Sequence, residues 1–208
     1  MARGYFITLE GGEGAGKSTQ ARRLALALAA AGVPVLRTRE PGGAPGAERI
    51  RDLLLSPGSW DSLTEAMLHF AARREHVVRS IRPMLEAGAW VICDRFADST
   101  LAYQGAGQGL AYETWARLCG LTLEGLQPDL TLILDLPVEA GLARAGARSA
   151  ADRYEKLGAD FHARIRAGFA DIARREPARC VVLDAARDAE AVYAAIAETL
   201  RQRLGAKL

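Results

Sequence analysis

Gly11-Gly12-Glu13-Gly14-Ala15-Gly16-Lys17-Ser18 is the stretch on which the reading of this chain turns. It fits the spacing G-x-x-x-x-G-K-S. Before it stands a short apolar, β-rich run, Tyr5-Phe6-Ile7-Thr8-Leu9. After it, Ser18 to Ala31 carries leucines at helical spacing and stops at Gly32. Glycines let successive backbone N–H groups converge on phosphate oxygens, and a helix N-terminus adds positive potential there. The pattern predicts a phosphate cradle over Gly11, Gly12, Glu13, Gly14, Ala15, Gly16, Lys17, Ser18 and Thr19. Lys17 would bridge the β- and γ-phosphates of a nucleotide, and Ser18 would bind Mg²⁺. Glu13 is the anomaly. At roughly 6 Å and an effective dielectric near 20, each phosphate charge would repel it by about 3 kcal/mol. Its side chain is therefore expected to point out of the cradle.

Outward from the loop, the chain alternates. Val33–Thr38, Trp90–Cys93, Leu130–Leu134 and Cys180–Leu183 read as further strands. Helical stretches fall at roughly 47–55 and 63–87, the second ending at Gly88. Continuously apolar strands between helices argue an α/β fold with a parallel sheet covered on both faces. A length of 208 residues suits one domain. Residues 142–156, with Arg144, Arg148 and Arg153 among small residues, read either as a mobile, arginine-bearing lid or as a solvated helix–helix corner.

Lys plus Arg (27) nearly balance Asp plus Glu (25), which argues against a bulk electrostatic grip on nucleic acid or on a membrane surface. Arginine dominates the cations and suits bidentate phosphate contacts, so a small phosphorylated molecule is the expected partner. Cys93, Cys119 and Cys180 show no C-x-x-C spacing, so neither zinc nor a disulfide framework is indicated, and a reduced, cytoplasmic setting is expected. No targeting or spanning segment is expected; the Ala/Leu run after Arg22-Arg23 is an ordinary helix.

A nucleotide loop leaves several classes open. A GTPase would offer an N-K-x-D motif, which is missing, and a large ATPase machine needs more chain, whereas a small kinase fits. A regulatory module that binds ATP without transferring phosphate is the rival from another class. Asp94, directly after the strand ending at Cys93, is the candidate for a second Mg²⁺ holder, with Arg95 beside it as a phosphate binder. Asp135, at the end of another strand, is the competing metal candidate.

Asp94-Arg95-Phe96-Ala97-Asp98-Ser99-Thr100-Leu101-Ala102-Tyr103-Gln104-Gly105 resembles the signature of thymidylate kinases. The loop, Arg39-Glu40-Pro41-Gly42-Gly43, Arg73-Arg74-Glu75-His76 and Leu183-Asp184-Ala185 match the same family in the same order, over nearly the whole chain. The resemblance implies one P-loop kinase domain over 1–208, a three-layer sandwich whose five parallel strands run 2-3-1-4-5, with a short lid. It implies phosphoryl transfer from ATP to dTMP with Mg²⁺, and a homodimer. It places Arg95 and Arg51 on the acceptor phosphate, Arg73 on the thymine O4, and Thr100 and Gln104 at the polar edge of the base. Tyr103 would crowd the sugar's 2′ position and Glu13 would accept from its 3′-OH, with Glu40, Ser99 and a stacking Phe70 completing the acceptor site. Counting back from Arg73, however, the family's stacking Phe falls on His69, so either Phe70 stacks after a local shift or Arg74 reads the base. The family this chain resembles carries its catalytic arginine either in the phosphate loop or in the lid. No arginine stands between Gly12 and Ala15, so the resemblance implies that the lid supplies it: Arg148 with Arg153, Arg144 more weakly. A phosphate monoester with its second pKa near about 6 is already ionised at neutral pH, so no general base is required. His69, His76 and His162 show no evident partners in the sequence.

Overall fold

The structure is a computed structural model that describes residues 3–56, 58–147, 154 and 157–206. Its sheet is built from β1 (Phe6–Glu10), β2 (Val35–Arg39), β3 (Trp90–Asp94), β4 (Leu130–Asp135) and β5 (Cys180–Asp184). All pairings are parallel and the order is β2-β3-β1-β4-β5, as expected. Leu9 lies beside Asp94 on one side and Leu132 on the other. The carboxyl ends of three neighbouring strands thus open together, where α/β sheets form their ligand crevice.

Alternation along β1 sets the two faces. Ile7 and Leu9 join a core with Leu24 and Leu28 of α1 (Lys17–Ala30) and Ile196 and Leu200 of α9 (Ala189–Leu204). Phe6 points the other way, into a cluster with Ile81, Val91 and Phe96. Thr8 and Glu10 share Phe6's face by the two-residue period. Both are fully buried and both find partners: Thr8 bonds Thr131 at 2.8 Å, and Glu10 bonds the Phe96 N–H and the Ser99 hydroxyl.

Helix α2 (Pro45–Leu55) starts on a proline, whose missing N–H costs nothing in a first turn. Helix α3 (Ser62–His76) is capped by Asp61, which accepts from the N–H groups of Leu63 and Thr64. The single helix expected over 63–87 is interrupted. A π-turn at Val77–Ile81 separates α3 from α4 (Arg82–Glu86). Pro83 cannot donate to the fourth residue before it, and the wider turn hands the Arg82 N–H to Val77. After β3 come α5 (Ala97–Thr100), a second π-turn (Leu101–Gly107) and α6 (Tyr112–Leu123). The remaining helices are α7 (Val138–Gly146) and α8 (Ala159–Arg175). The first part of the expected lid, 142–146, is thus the end of α7.

Candidate active site

The loop between β1 and α1 turns on glycines. Gly11, Gly14 and Gly16 have φ of 133, 67 and 89°, in the region that disfavours side chains. A Cβ on Gly14 would lie 2.1 Å from the Gly141 carbonyl of α7, so loop and helix backbones press together. Lys17 donates to the Gly11 and Gly12 carbonyls at 3.0 and 2.7 Å. Its burial, with Arg95 close by, pushes the ammonium down to about 8 against the pull of Glu13 and Asp94.

Ser18 and Asp94 meet. The Ser18 hydroxyl donates to Asp94 at 2.5 Å, joining the first turn of α1 to the end of β3. This all-oxygen pair at the mouth of the loop suits Mg²⁺, which takes one or two protein oxygens and completes its shell with phosphates and water. No cluster of three or more His, Cys, Asp or Glu ligands occurs among the described residues, so a dedicated protein cage is not on offer there. Asp135 is instead held by both arms of Arg166 at 2.7 Å.

Beyond the loop opens a cleft of about 230 Å³. Lys17, Asp94 and Arg95 stand at its end nearest the glycine loop; Arg51, His69, Arg73, Thr100, Tyr103 and Gln104 line its depth. Glu13 points there, away from the cradle. Its Oε1 accepts from the Tyr103 hydroxyl at 2.5 Å and from Arg95 at 2.7 Å. Burial raises this carboxyl, but Arg95, Lys17 and Tyr103 together outweigh burial and hold it at about 2. Arg95 is itself unusual, with φ of 70°. Its guanidinium bonds Gly11 O and Ser99 and lies 4.9 Å from the Tyr103 ring centroid.

At the far end Arg73 is 2 % exposed and clamped. Nε donates to Glu40 at 2.6 Å, and Nη2 to Phe96 O and the Thr100 hydroxyl. Its Nη1 is buried with no partner, as is the side-chain nitrogen of Gln104. Two unsatisfied buried donors on one cleft mark where a polar ligand edge fits.

Several expected site residues sit otherwise than the sequence suggested. Phe70 is not on the wall: it is 1 % exposed, and the Arg73 guanidinium lies 4.6 Å over its ring. His69 takes the wall position, bonded to Tyr154. Arg74 turns away to Glu124 and Thr122. Glu40 and Ser99 spend their oxygens on protein partners, Glu40 behind Arg73 and Ser99 between Arg95 and Glu10. Thr19 is exposed on the first turn of α1. Arg51 donates to the Pro41 carbonyl at the cleft edge. Arg144 donates to the carbonyls of Ala185 and Ala186, at the turn after β5. Arg148 and Arg153 lie outside the described residues. Two of the histidines do have partners: His76 bonds Glu40 and Thr38, and His69 bonds Tyr154, whereas His162 Nε2 is buried with none among the described residues. Those partners come from distant segments, which the sequence does not bring together. Sequence reasoning also missed Glu10 and Tyr154; the acidic residue ending an apolar strand was the available signal for Glu10.

The sheet order, the glycine loop and the cleft that opens beyond it are those of a small P-loop kinase. The thymidylate kinase family model matches residues 9–196. A thymidylate kinase of Caulobacter vibrioides is 58% identical over 99% of this chain and 100% of its own, and one from Pseudomonas fluorescens is 52% identical over 97% of each. The crystal structure of thymidylate kinase from Ehrlichia chaffeensis superimposes with a TM-score of 0.81 at 37% identity, covering 95% of this chain and 99% of that one. The chain belongs to the thymidylate kinase family.

Proposed function

We infer that this chain, acting as one kinase domain, transfers the γ-phosphoryl group of ATP to dTMP, giving ADP and dTDP for dTTP synthesis. The observation that carries the reading is the pairing of two ends in one cleft. Lys17 and Arg95 stand at the phosphate end, and the unsatisfied Arg73 Nη1 and Gln104 nitrogen stand at the other.

Transfer between two anions requires cations and alignment rather than a base. Lys17 neutralises the donor phosphates, and Arg95 holds the acceptor phosphate facing them. Ser18 and Asp94 would hold Mg²⁺, which when bound would supply further charge neutralisation. Arg73 Nη1 donates to a carbonyl at the base's position 4, and the Gln104 amide, free to turn either end inward, meets the adjacent edge. Tyr103, fixed by its bond to Glu13, closes the sugar side. A cytoplasmic location accords with this chemistry and with the three unpaired thiols. A homodimer is the proposed assembly, supported by the exposed apolar stripe Leu63, Met67, Ala71 and Val78 on and just beyond α3.

The test is an acceptor panel with ATP and Mg²⁺. dTMP should give the highest kcat/KM, with dUMP lower by about 10- to 200-fold, the range one methyl group supports. A kcat/KM for dCMP or AMP equal to that for dTMP overturns the assignment.

A further inference from the structure

Two sequence segments, Glu40-Pro41-Gly42-Gly43 and Arg73-Arg74-Glu75-His76, meet in the core behind the cleft. Glu40 divides its carboxylate there. Oε2 accepts from Arg73 Nε at 2.6 Å, and Oε1 accepts from His76 Nδ1 at 3.0 Å. The other ring nitrogen of His76 meets the Thr38 hydroxyl at 2.7 Å. Glu40, Arg73 and His76 are 5, 2 and 0 % exposed, so the two links to Glu40 are closed to water, while the Thr38 link is part-buried.

Geometry makes this chain directional. A carboxylate with only one partner can rotate about its last bond; with both oxygens engaged it cannot. His76 is itself fixed at both ring nitrogens, from β2 on one side and Glu40 on the other. Arg73 is then held through Nε by Glu40 and through Nη2 by Phe96 and Thr100, which leaves Nη1 as its single uncommitted nitrogen. Gly43 completes the device: a Cβ there would stand 2.3 Å from His76 Nε2 and 2.5 Å from the Thr38 hydroxyl, so a side chain would split the pair.

We propose that His76, braced by Thr38, is a positioning residue for acceptor specificity: it fixes Glu40 so that Arg73 presents one donor to the acceptor base. The proposal rests on the reading of the cleft as a dTMP site. It assigns His76 no contact with substrate, and it predicts effects on base discrimination rather than on ATP or the transfer step. A donor held at one point favours a carbonyl at position 4 and rejects the amino group that cytosine carries there. A loosened guanidinium does so less well.

The experiment measures kcat and KM for dTMP and dCMP in wild type, His76→Leu, His76→Asn and Thr38→Val, with KM for ATP and thermal melting alongside. His76→Leu should raise KM for dTMP about tenfold and lower the dTMP-to-dCMP ratio of kcat/KM by about as much, the scale of one lost hydrogen bond beside a charge. Its kcat for dTMP and KM for ATP should stay within about threefold. His76→Asn, which keeps a donor near the Nδ1 position, should recover most of the ratio. A folded His76→Leu enzyme that melts lower but keeps the wild-type ratio overturns the proposal. If His76→Leu does not fold, Thr38→Val decides: the ratio must fall by at least about twofold, well above the scatter of such ratios, and an unchanged ratio overturns it. A wild type that does not prefer dTMP to dCMP rejects the dTMP reading itself, a different failure.

Discussion

Glu13 and Arg95 carry opposite charges 2.7 Å apart, on the side of the glycine loop that faces the cleft. The repulsion that keeps a carboxylate out of a phosphate cradle has a second effect here. It turns Glu13 toward the Arg95 guanidinium and the Tyr103 hydroxyl, and the carboxylate, accepting from both, holds them in place. Glu13→Gln keeps the shape but removes the charge that Arg95 faces. KM for dTMP should rise about tenfold or more, as expected where a charge-assisted bond is lost, while ATP affinity stays near wild type. Steady-state kinetics with each substrate varied in turn check this, and unchanged dTMP kinetics would return Glu13 to an ordinary loop residue. The charge also sets a pH dependence. With the carboxyl held at about 2 against a usual 4.5, the folded state releases this proton more readily than the unfolded chain. The stability it contributes is full above the usual carboxylate range and is lost as pH falls from there toward 2. At this scale the sequence was legible wherever a charge had to go somewhere, as with Glu13, and ambiguous where neighbours on a helix compete. His69 and Phe70 lie four and three residues before Arg73. Both spacings put a side chain beside it, so spacing alone could not tell the wall residue from the one beneath the guanidinium.

The segment from the end of β3 through α5 is the element on which the site hangs, and it is pinned from below. Glu10 of β1 bonds the Phe96 N–H at 2.7 Å and the Ser99 hydroxyl at 2.6 Å, directly after the left-handed Arg95. One turn on, Asp98 is gripped by both arms of Arg179 at 2.7 and 2.9 Å, and Arg179 also reaches Thr131 of β4. A non-glycine residue at positive φ persists only where its surroundings over-determine it, and these bonds do so. Burial and the nearby Asp98 push the Glu10 carboxyl up to about 8. Between the usual 4.5 and that value the folded chain keeps a proton that the unfolded chain has released. Glu10 therefore makes the protein less stable as pH rises through that window. Glu10→Gln removes the titration. Denaturation at pH 5 and at pH 8 should show a smaller loss of stability between the two in the variant than in wild type; equal losses would mean that Glu10 is ionised throughout. Of this, only the acidic residue at the end of an apolar strand left a mark in the sequence. The strand, the loop and the Asp94-Arg95 signature were legible from local pattern, whereas Arg179 lies 81 positions from Asp98 and nothing local marks the pair.

Across the whole molecule, the parallel sheet and its order followed from alternating apolar strands and helices and from the resemblance. The outer surface of α3 did not. Leu63, Ala66, Met67, Phe70, Ala71, Val77 and Val78 fall on one broad arc of about 140° on a helical wheel, so periodicity alone cannot separate its core-facing edge from an exposed one. In the fold, Ala66, Phe70 and Val77 are buried, whereas Leu63, Met67 and Val78 remain 42, 47 and 38 % exposed, with Ala71 exposed between them. Positions 63, 67, 71, 74 and 78 fall within a quarter-turn of one another on a helical wheel, so these residues and Arg74 form one continuous ridge. A second copy of the chain is the occupant that suits this ridge. A two-fold axis sets the same patch against itself, and an apolar ridge is self-complementary where a charged one would repel. The placement of α3 would give the proposed assembly a consequence for the site. The same helix carries His69 and Arg73 on its inner side, so a partner seated on the ridge would stiffen the wall of the acceptor cleft. Met67→Glu puts a charge at the centre of the ridge, where a two-fold brings it close to its own image. Light scattering behind size exclusion should report a dimer for wild type and a monomer for the variant. Because the substituted side chain points away from the cleft, the monomer should still bind ATP normally, and its loss should fall on KM for dTMP. A variant that stays dimeric would place the interface elsewhere, and a wild type that runs as a monomer would leave the ridge without its proposed partner.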